Sequence, residues 1–456
     1  MAKQKTAWVC SECGQESAKW VGRCPSCHEW NTMKEIRIAA EEPSAVPAVA
    51  GRADAKRTAV RLTDVRAEQI PRIDMHDAEF NRVLGGGLVP GSLVLLGGEP
   101  GIGKSTLLLQ TALKPLARRI LYVSGEESEQ QIKLRADRIA QASDNLLLFC
   151  DSSLERIFNV ISEVQPELVV IDSIQTLTSE TLDSTAGSIT QIRWCAAALL
   201  KYAKESNVPV ILVGHITKDG ALAGPKVLEH IVDVVLQFEG DRQHFYRILR
   251  GMKNRFGSTS ELGIYEMRQE GLRPVDNPSE MLLSGSGGEL SGVAVCAAVE
   301  GIRPLLIEVQ ALVSTAAYGT PQRSATGFDL RRMNMLLAVL EKRVGFKIGA
   351  KDVFLNIAGG LRVTDTAIDL SVIAAILSSN VDTPLERGVA MAGEVGLSGE
   401  LRPVTRIAQR VTEAEKLGFT RFLLPQANAK GLDKQRLNIE IVPVGTVTEA
   451  LRALFG

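Results

Sequence analysis

Aromatic residues are scarce in this chain of 456 residues, where Phe, Trp and Tyr together make up 5%. So few π-faces exclude a broad base-stacking surface and restrict any such contact to a local cluster. Neither sign of charge predominates: 52 Lys and Arg stand against 53 Asp and Glu, a formal charge of −1. Without a global basic field, any polyanion has to be held by a local patch. Long hydrophobic runs are missing as well. Nowhere do roughly 18 apolar residues follow one another, so no transmembrane helix is expected. The start, MAKQKTAWVC, has no apolar centre of the kind a secretory signal needs. The expectation is a cytoplasmic protein with no membrane partner.

Cysteine is used sparingly and unevenly. There are seven, an odd number, and four of them (Cys10, Cys13, Cys24 and Cys27) cluster near the N-terminus. The other three (Cys150, Cys195 and Cys296) lie in apolar surroundings and read as buried thiols, which suits a reducing compartment. Hydrophobic residues at 45% and charged residues at 23% are ordinary for a globular chain. At roughly 150 residues per domain, the length suggests about three domains.

The chain divides by composition. Residues 1–35 form a Cys- and Trp-rich module. Residues 36–60, dominated by Ala, Pro and charge, read as a linker. Over 61–275, apolar runs (SLVLLGG, RILYVSG, NLLLFCD, ELVVIDS, VPVILVG, DVVLQFE) alternate with helix-length segments. Short buried strands alternating with helices imply a mostly parallel sheet covered on both faces. After a second break, residues 285–456 mix strands such as RPLLIEVQALV and RFLLP with helices expected at 329–344 and 366–379.

The spacing Cys10-x2-Cys13-x10-Cys24-x2-Cys27 presents two pairs of thiolates from two tight turns, enough to close a tetrahedron around Zn²⁺. A module this small needs that help, since metal binding contributes about 10–16 kcal/mol of folding free energy in comparable peptides. A redox role for one C-x-x-C competes, but the second pair at ligand spacing favours the metal. His28 then reads as a bystander. Trp8, Trp20 and Trp30 fall in the same module. A miniature core is the first expectation for them, and an exposed surface for DNA or protein the second.

Gly98-Glu99-Pro100-Gly101-Ile102-Gly103-Lys104-Ser105, followed by Thr106, fits G-x-x-x-x-G-K-[ST] between a strand and a helix, the context of a phosphate-binding loop for ATP. Lys104 would reach the β- and γ-phosphates and Ser105 would hold Mg²⁺. Asp172, at the end of LVVID, is the expected acidic partner of that Mg²⁺; capping the next helix is the alternative. Glu126 and Glu127 both follow the strand RILYVSG. Glu126 is the expected general base and Glu127 a charge at a helix N-terminus. His215 ends VPVILVG, where it could report nucleotide state to a following loop with Lys218 and Lys226. A polar residue at a sheet edge is the plainer alternative. The densest basic run holds Arg242, Arg247, Arg250, Lys253 and Arg255 against Asp241. Such runs usually line a solvated strand face, but Lys253-Asn-Arg255-Phe-Gly257 is expected at a turn, ready to offer two cations.

The four-cysteine module, GEPGIGKST, SGEES, VVIDS and above all KNRFG together resemble the bacterial RadA (Sms) family of DNA repair proteins, over essentially the whole chain except the linker. The resemblance implies an α/β fold: an N-terminal zinc ribbon, a RecA-like P-loop ATPase core with a mostly parallel sheet, and a C-terminal domain. It further implies a ring, expected to be hexameric, with ATP held between neighbouring subunits. Lys253 and Arg255 would then act across the interface or on DNA. The implied activity is DNA-dependent ATP hydrolysis driving branch migration on single-stranded and branched DNA, together with the RecA recombinase.

The last block, in GGLRVTDTAIDLSVIAAIL and MAGEVGLSGELRPVTRIAQRVTEAEKLGF, is similar to the α/β (α+β) proteolytic domain of Lon. That similarity makes an ATP-dependent protease or unfoldase the alternative function. The nucleophile position falls on Ile368 and the lysine position on Ala408, however, and neither can do the chemistry. Ser371 and Lys416 are offset along their helices, so they are not expected to converge. The block reads as a proteolytically inactive, ring-forming domain, with Arg331, Arg332, Arg343 and Lys347 as candidate DNA contacts.

Overall fold

The computed structural model describes residues 5–10, 16–17, 19–25, 30–38, 71–114, 118–139, 143–215, 226–240, 246–275, 277–283, 290–316, 319–360, 362–432 and 437–456. Nearly all of the expected linker lies outside them. The chain forms two compact units, Met1–Glu239 with Arg247–Pro274, and Gly240–Tyr246 with Val275–Gly456.

The N-terminal module pairs β1 (Lys5–Cys10) with β2 (Glu16–Ser17) and β3 (Met33–Ile38) in an antiparallel sheet ordered β2-β1-β3. Its core is small: Cys10, Cys24 and Met33 are buried, with Trp8 and Val21 against them.

The nucleotide-binding portion begins with α1 (Ala78–Leu84). It continues through β4 (Leu93–Gly98), α2 (Lys104–Leu113), β5 (Ile120–Ser124), α3 (Glu129–Ile139), β6 (Leu146–Cys150) and α4 (Leu154–Val164). Then come β7 (Leu168–Asp172), α5 (Ile189–Ser206), β8 (Val210–His215), α6 (Lys226–Ile231) and β9 (Val234–Glu239). Three antiparallel strands close it: β10 (Tyr246–Asn254), β11 (Leu262–Arg268) and β12 (Gly271–Pro274). All form one nine-stranded sheet in the order β12-β11-β10-β9-β4-β8-β7-β5-β6.

Strands β4 to β9 are parallel, and β4, β5 and β7 are buried along their whole length. Successive side chains point to opposite faces. Val94, Leu96, Tyr122, Val170 and Ile211 therefore pack beneath α1, α2 and α3. Leu93, Leu95, Leu121, Val169 and Leu212 pack beneath α4 and α5 on the other face. Helix α4 shows why these segments are helical. Ser153 caps its N-terminus by accepting from the Arg156 amide, and Leu154, Ile157, Phe158 and Ile161 bury one stripe at helical spacing.

The parallel arrangement brings the carboxyl ends of β4, β5, β7 and β8 to one edge of the sheet. Strand β10 runs the other way along β9, from Ile248 opposite Glu239 to Asn254 opposite Val234. The register slips between Gly251 and Lys253, so Met252 is the extra residue of a β-bulge.

The second unit adds α7 (Pro278–Leu282), β13 (Val293–Glu300), β14 (Arg303–Thr315), β15 (Arg323–Thr326), α8 (Leu330–Val339), β16 (Lys351–Ile357) and α9 (Asp369–Val381). It ends with β17 (Val389–Met391), β18 (Glu394–Val395), β19 (Leu401–Arg402), α10 (Ile407–Lys416), β20 (Arg421–Pro425), α11 (Gln426–Ala429), β21 (Glu440–Val444) and α12 (Val447–Phe455). Seven strands form a mixed sheet ordered β15-β16-β14-β13-β17-β20-β21. The helix expected at 329–344 is capped by Asp329 and loosens after Val339 into a wider turn. The one expected at 366–379 starts as a single tight turn before α9.

Arg410 is the largest fully buried side chain of this unit. Its guanidinium donates to Asp365 (2.6 Å), to the Ala297 carbonyl (2.6 Å) and to the Thr405 carbonyl (2.9 Å). Removing one partner of a buried pair strands the other. Arg410→Met should therefore destabilise this unit by about 3–5 kcal/mol, read as an earlier urea transition, and Arg410→Met with Asp365→Asn should recover part of the loss.

Candidate nucleotide site and zinc module

The phosphate loop leaves β4 at Gly98, where a Cβ would meet the Phe238 carbonyl oxygen at 2.8 Å. Gly101 and Gly103 have φ of +79° and +115°, a backbone region that side chains resist. At Gly103 a Cβ would also strike Met267 Cε at 2.8 Å. Helix α2 then opens at Lys104 with no side chain capping it. Its first amides therefore keep their capacity for phosphate oxygens. Ser105 and Thr106 are half-buried in its first turn.

Lys104 is 3% exposed and folds back under the loop, its Nζ donating to the carbonyls of Gly98 (2.8 Å) and Glu99 (2.9 Å). Burial pulls its pKa down to about 8, against the opposing pull of Asp172, Glu126 and Glu99. Asp172 accepts from the Tyr122 hydroxyl at 2.6 Å. Burial and the Asp172 charge push the Tyr122 hydroxyl well above its ordinary pKa, so it stays a donor. Asp172 caps no helix: the next turn begins at Ile174, its N-cap is Ser173, and that cap makes no side-chain bond.

The two glutamates separate cleanly. Glu126 Oε1 accepts from Ser173 Oγ (2.7 Å) and from His215 Nε2 (3.0 Å). Burial raises its pKa, but the bonds from Ser173 and His215 and the charge of Lys104 outweigh that, leaving it below the ordinary value. His215 Nδ1 lies 3.4 Å from Lys104 Nζ. The two ring nitrogens of His215 thus bridge Lys104 and Glu126. Glu127, two residues before α3, turns away from the cluster to Arg135 of that helix (2.9 and 2.7 Å). Ser173 and Tyr122 went unnoticed in the sequence. The hint was Tyr122 itself, whose hydroxyl needs a partner inside a buried strand.

Lys253 and Arg255 are absent from this cluster. Because β10 runs antiparallel, they sit at the opposite edge of the sheet, roughly 13 Å away along β9 at 3.3 Å per residue. Lys253 Nζ donates to the carbonyls of Glu229 (2.5 Å) and Val232 (2.9 Å) at the end of α6. Burial and the neighbouring Arg255 lower its pKa. Arg255 is 55% exposed and reaches Asp233 at 3.4 Å. Asp233 also accepts from Lys204 (2.7 Å) and from the Leu93 amide (3.1 Å). Arg72 pins the same turn by donating to the Phe256 carbonyl (2.5 Å) and the Leu84 carbonyl (3.1 Å).

The basic run is therefore no continuous cationic face. Arg247 is buried and Arg250 pairs with Glu239 at 3.4 Å, while Arg242 lies outside the described residues, as do Lys218 and the side chain of Lys226. Arg332, considered for DNA, is likewise committed, since it grips the buried Asp369 through Nε (2.9 Å) and Nη2. Arg331, Arg343 and Lys347 are exposed. Ser371 is buried and Lys416 exposed, Ile368 is buried and Ala408 exposed, and no nucleophile–lysine pair forms among them.

In the N-terminal module Cys10 and Cys24, one from each pair, are buried in the same small core, which fits a shared thiolate ligand set. Cys13, Cys27 and His28 lie outside the described residues. The miniature-core expectation holds for Trp8 but fails for Trp20 and Trp30, which are 54% and 66% exposed. Cys195 and Cys296 are buried, and burial pushes both thiols up to about 12. Cys150 is only half-buried.

Fold and site together define a RecA-like P-loop ATP-binding protein with an N-terminal zinc ribbon and a Lon-like C-terminal domain. Residues 8–35 match a rubredoxin metal binding domain family, residues 55–221 an AAA domain, and residues 312–428 the subunit ChlI of Mg-chelatase. Among curated proteins the chain is 49% identical to "DNA repair protein RadA" of Halalkalibacterium halodurans and 48% identical to that of Bacillus subtilis, each over 100% of both chains. It is also 48% identical to that of Listeria monocytogenes over 99% of this chain and 98% of the relative. The chain belongs to the RadA family of DNA repair proteins. No helix among the described residues is long and apolar enough to cross a membrane.

The lowered pKa of Lys104 has a measurable consequence. A bound polyphosphate favours the charged amine, so ATP binding should take up a proton near and above pH 8 and almost none at pH 6.5. Calorimetry in buffers of different ionisation enthalpy reads that uptake, and Lys104→Met should remove it.

Proposed function

We propose that the chain is a DNA-dependent ATPase that drives branch migration of recombination intermediates alongside RecA, working as a ring, expected to be hexameric, with ATP between subunits. The observation that carries this reading is the separation of the phosphate-loop cluster from Lys253 and Arg255, at opposite edges of one sheet. Those cations cannot reach their own subunit's phosphates, whereas a head-to-tail neighbour can receive them.

In this reading the backbone amides after Gly98 hold the phosphates, and Lys104 exchanges its carbonyl partners for phosphate oxygens. Ser105 and Asp172 are the residues that would hold Mg²⁺, which offsets charge developing on the transferred phosphoryl. Glu126, a carboxylate at neutral pH, orients the attacking water and takes its proton. Arg255 of the adjacent subunit stabilises the transition-state charge, a contribution of about 10³–10⁵ in rate in other NTPases. His215 touches both Lys104 and Glu126, so a change at the terminal phosphate is felt at the tip of β8, ahead of the segment with Lys218 and Lys226. That segment is a candidate grip on DNA. Proteolysis is disfavoured because Ile368 and Ala408 stand where a Ser–Lys pair would be needed.

The test is ATP turnover with and without single-stranded DNA at moderate salt, since phosphate contacts weaken steeply as salt rises. Wild type should be stimulated by DNA and Lys104→Ala should be inactive. Arg255→Ala should bind ATP yet hydrolyse it poorly. Glu126→Gln should lose about 10²–10⁴ in turnover, whereas Glu127→Gln stays near wild type. A turnover rate indifferent to DNA would overturn the reading.

A further inference from the structure

The N-terminal module exposes an aromatic pair that its own folding does not use. Trp8, Val21, Met33, Cys10 and Cys24 already make the core. Trp20 and Trp30 lie outside it, yet they are held together. The turn between them is closed by the Asn31 amide donating to the Gly22 carbonyl (2.8 Å) and by a bridge between Arg23 and Trp30. Both indoles converge on Gly22, whose Cβ, were there one, would lie 3.5 Å from Trp20 Cη2 and 3.7 Å from Trp30 Cζ3. The guanidinium carbon of Arg23 lies 5.9 Å from the centroid of the Trp30 ring. Lys19, beside Trp20, is exposed.

We propose that Trp20, Trp30 and Arg23 form a stacking platform for unpaired bases of single-stranded DNA. Two features choose this ligand. Indole faces stack on any base, and a stacked arginine adds a cation for the backbone. Lys19 stands beside Trp20 and Arg23 beside Trp30, two cations at the rings that can meet the phosphates of a polyanion. Two large apolar rings left in water on a module with so little core are otherwise a cost to solubility. The platform is local, as the low aromatic content of the chain requires. It would hold the displaced or incoming strand at a place distinct from the cluster around Lys104. The proposal rests on the reading of the chain as a DNA-dependent ATPase and adds the surface through which one strand is held.

The test uses the full-length protein, a fluorescent oligo-dT and a duplex of mixed sequence, with zinc content measured for every variant. Titration of wild type with oligo-dT should quench tryptophan emission. Trp20→Ala and Trp30→Ala should each weaken oligo-dT binding about five- to 150-fold, with less than a twofold change for the duplex, whose bases are already stacked. DNA-free ATP turnover should not change. Trp30→Phe, which keeps a ring, should recover most of the affinity and Trp30→Leu should not, a comparison that stands even if an alanine variant loses its zinc. Arg23→Ala should reduce the salt dependence of binding by about one phosphate contact. Wild-type affinity in both alanine variants and in Trp30→Leu would overturn the proposal, as would loss of binding to a protein partner with DNA binding intact. Failure of wild type itself to bind any DNA would instead sink the ATPase reading on which the platform rests.

Discussion

Strand direction is the constraint on which the rest depends. Six parallel strands carry their carboxyl ends to one edge, and the residues proposed for the chemistry stand there: the loop after Gly98, Glu126 after β5, Asp172 ending β7 and His215 ending β8. The chain then reverses at β10, and that reversal sends Lys253 and Arg255 to the far edge. No side-chain rearrangement within a rigid sheet moves a cation along the length of a strand. Asp233, Lys204 and Arg72 hold the far turn in place. Arg255 projects from it with its side chain 55% exposed, placed to meet something outside its own subunit.

The near edge is also a continuous electrostatic chain. Lys104, His215 and Glu126 follow one another in hydrogen-bonding contact, with Ser173 completing the shell of Glu126. A charged amine held by two carbonyls and an imidazole is poised to exchange those partners for phosphate. The same imidazole orients the carboxylate expected to act on water. One ring thus touches both the phosphate-loop lysine and the carboxylate proposed as the base.

Much of this was legible in the sequence, because buried parallel strands are short apolar runs and a phosphate loop is a local motif. SLVLLGG, RILYVSG and VPVILVG became β4, β5 and β8. What was not legible depended on direction and on partners far apart in the chain. Glu126 and Glu127 are equivalent on paper, and only Arg135 on one side and Ser173 with His215 on the other distinguish them. The basic run looked like a patch because linear density says nothing of Glu239 or Asp233 folding back onto it. Trp20 and Trp30 looked like core because composition alone cannot tell that Trp8 already fills so small a space. In the second unit the likeness to Lon was readable, and with it the expectation that Ile368 and Ala408 stand where a Ser–Lys pair would be needed. The buried Arg410–Asp365 and Arg332–Asp369 pairs that now stabilise the same region were not readable.

The claim that a complete catalytic site spans two subunits is tested most directly by mixing two inactive variants. Lys104→Ala keeps the far-edge cations, and Arg255→Ala keeps the phosphate loop. In randomly mixed rings about one interface in four joins the two intact halves, so DNA-stimulated ATP turnover should return to about a quarter of the wild-type rate. A mixture no more active than the sum of its two components would contradict the account.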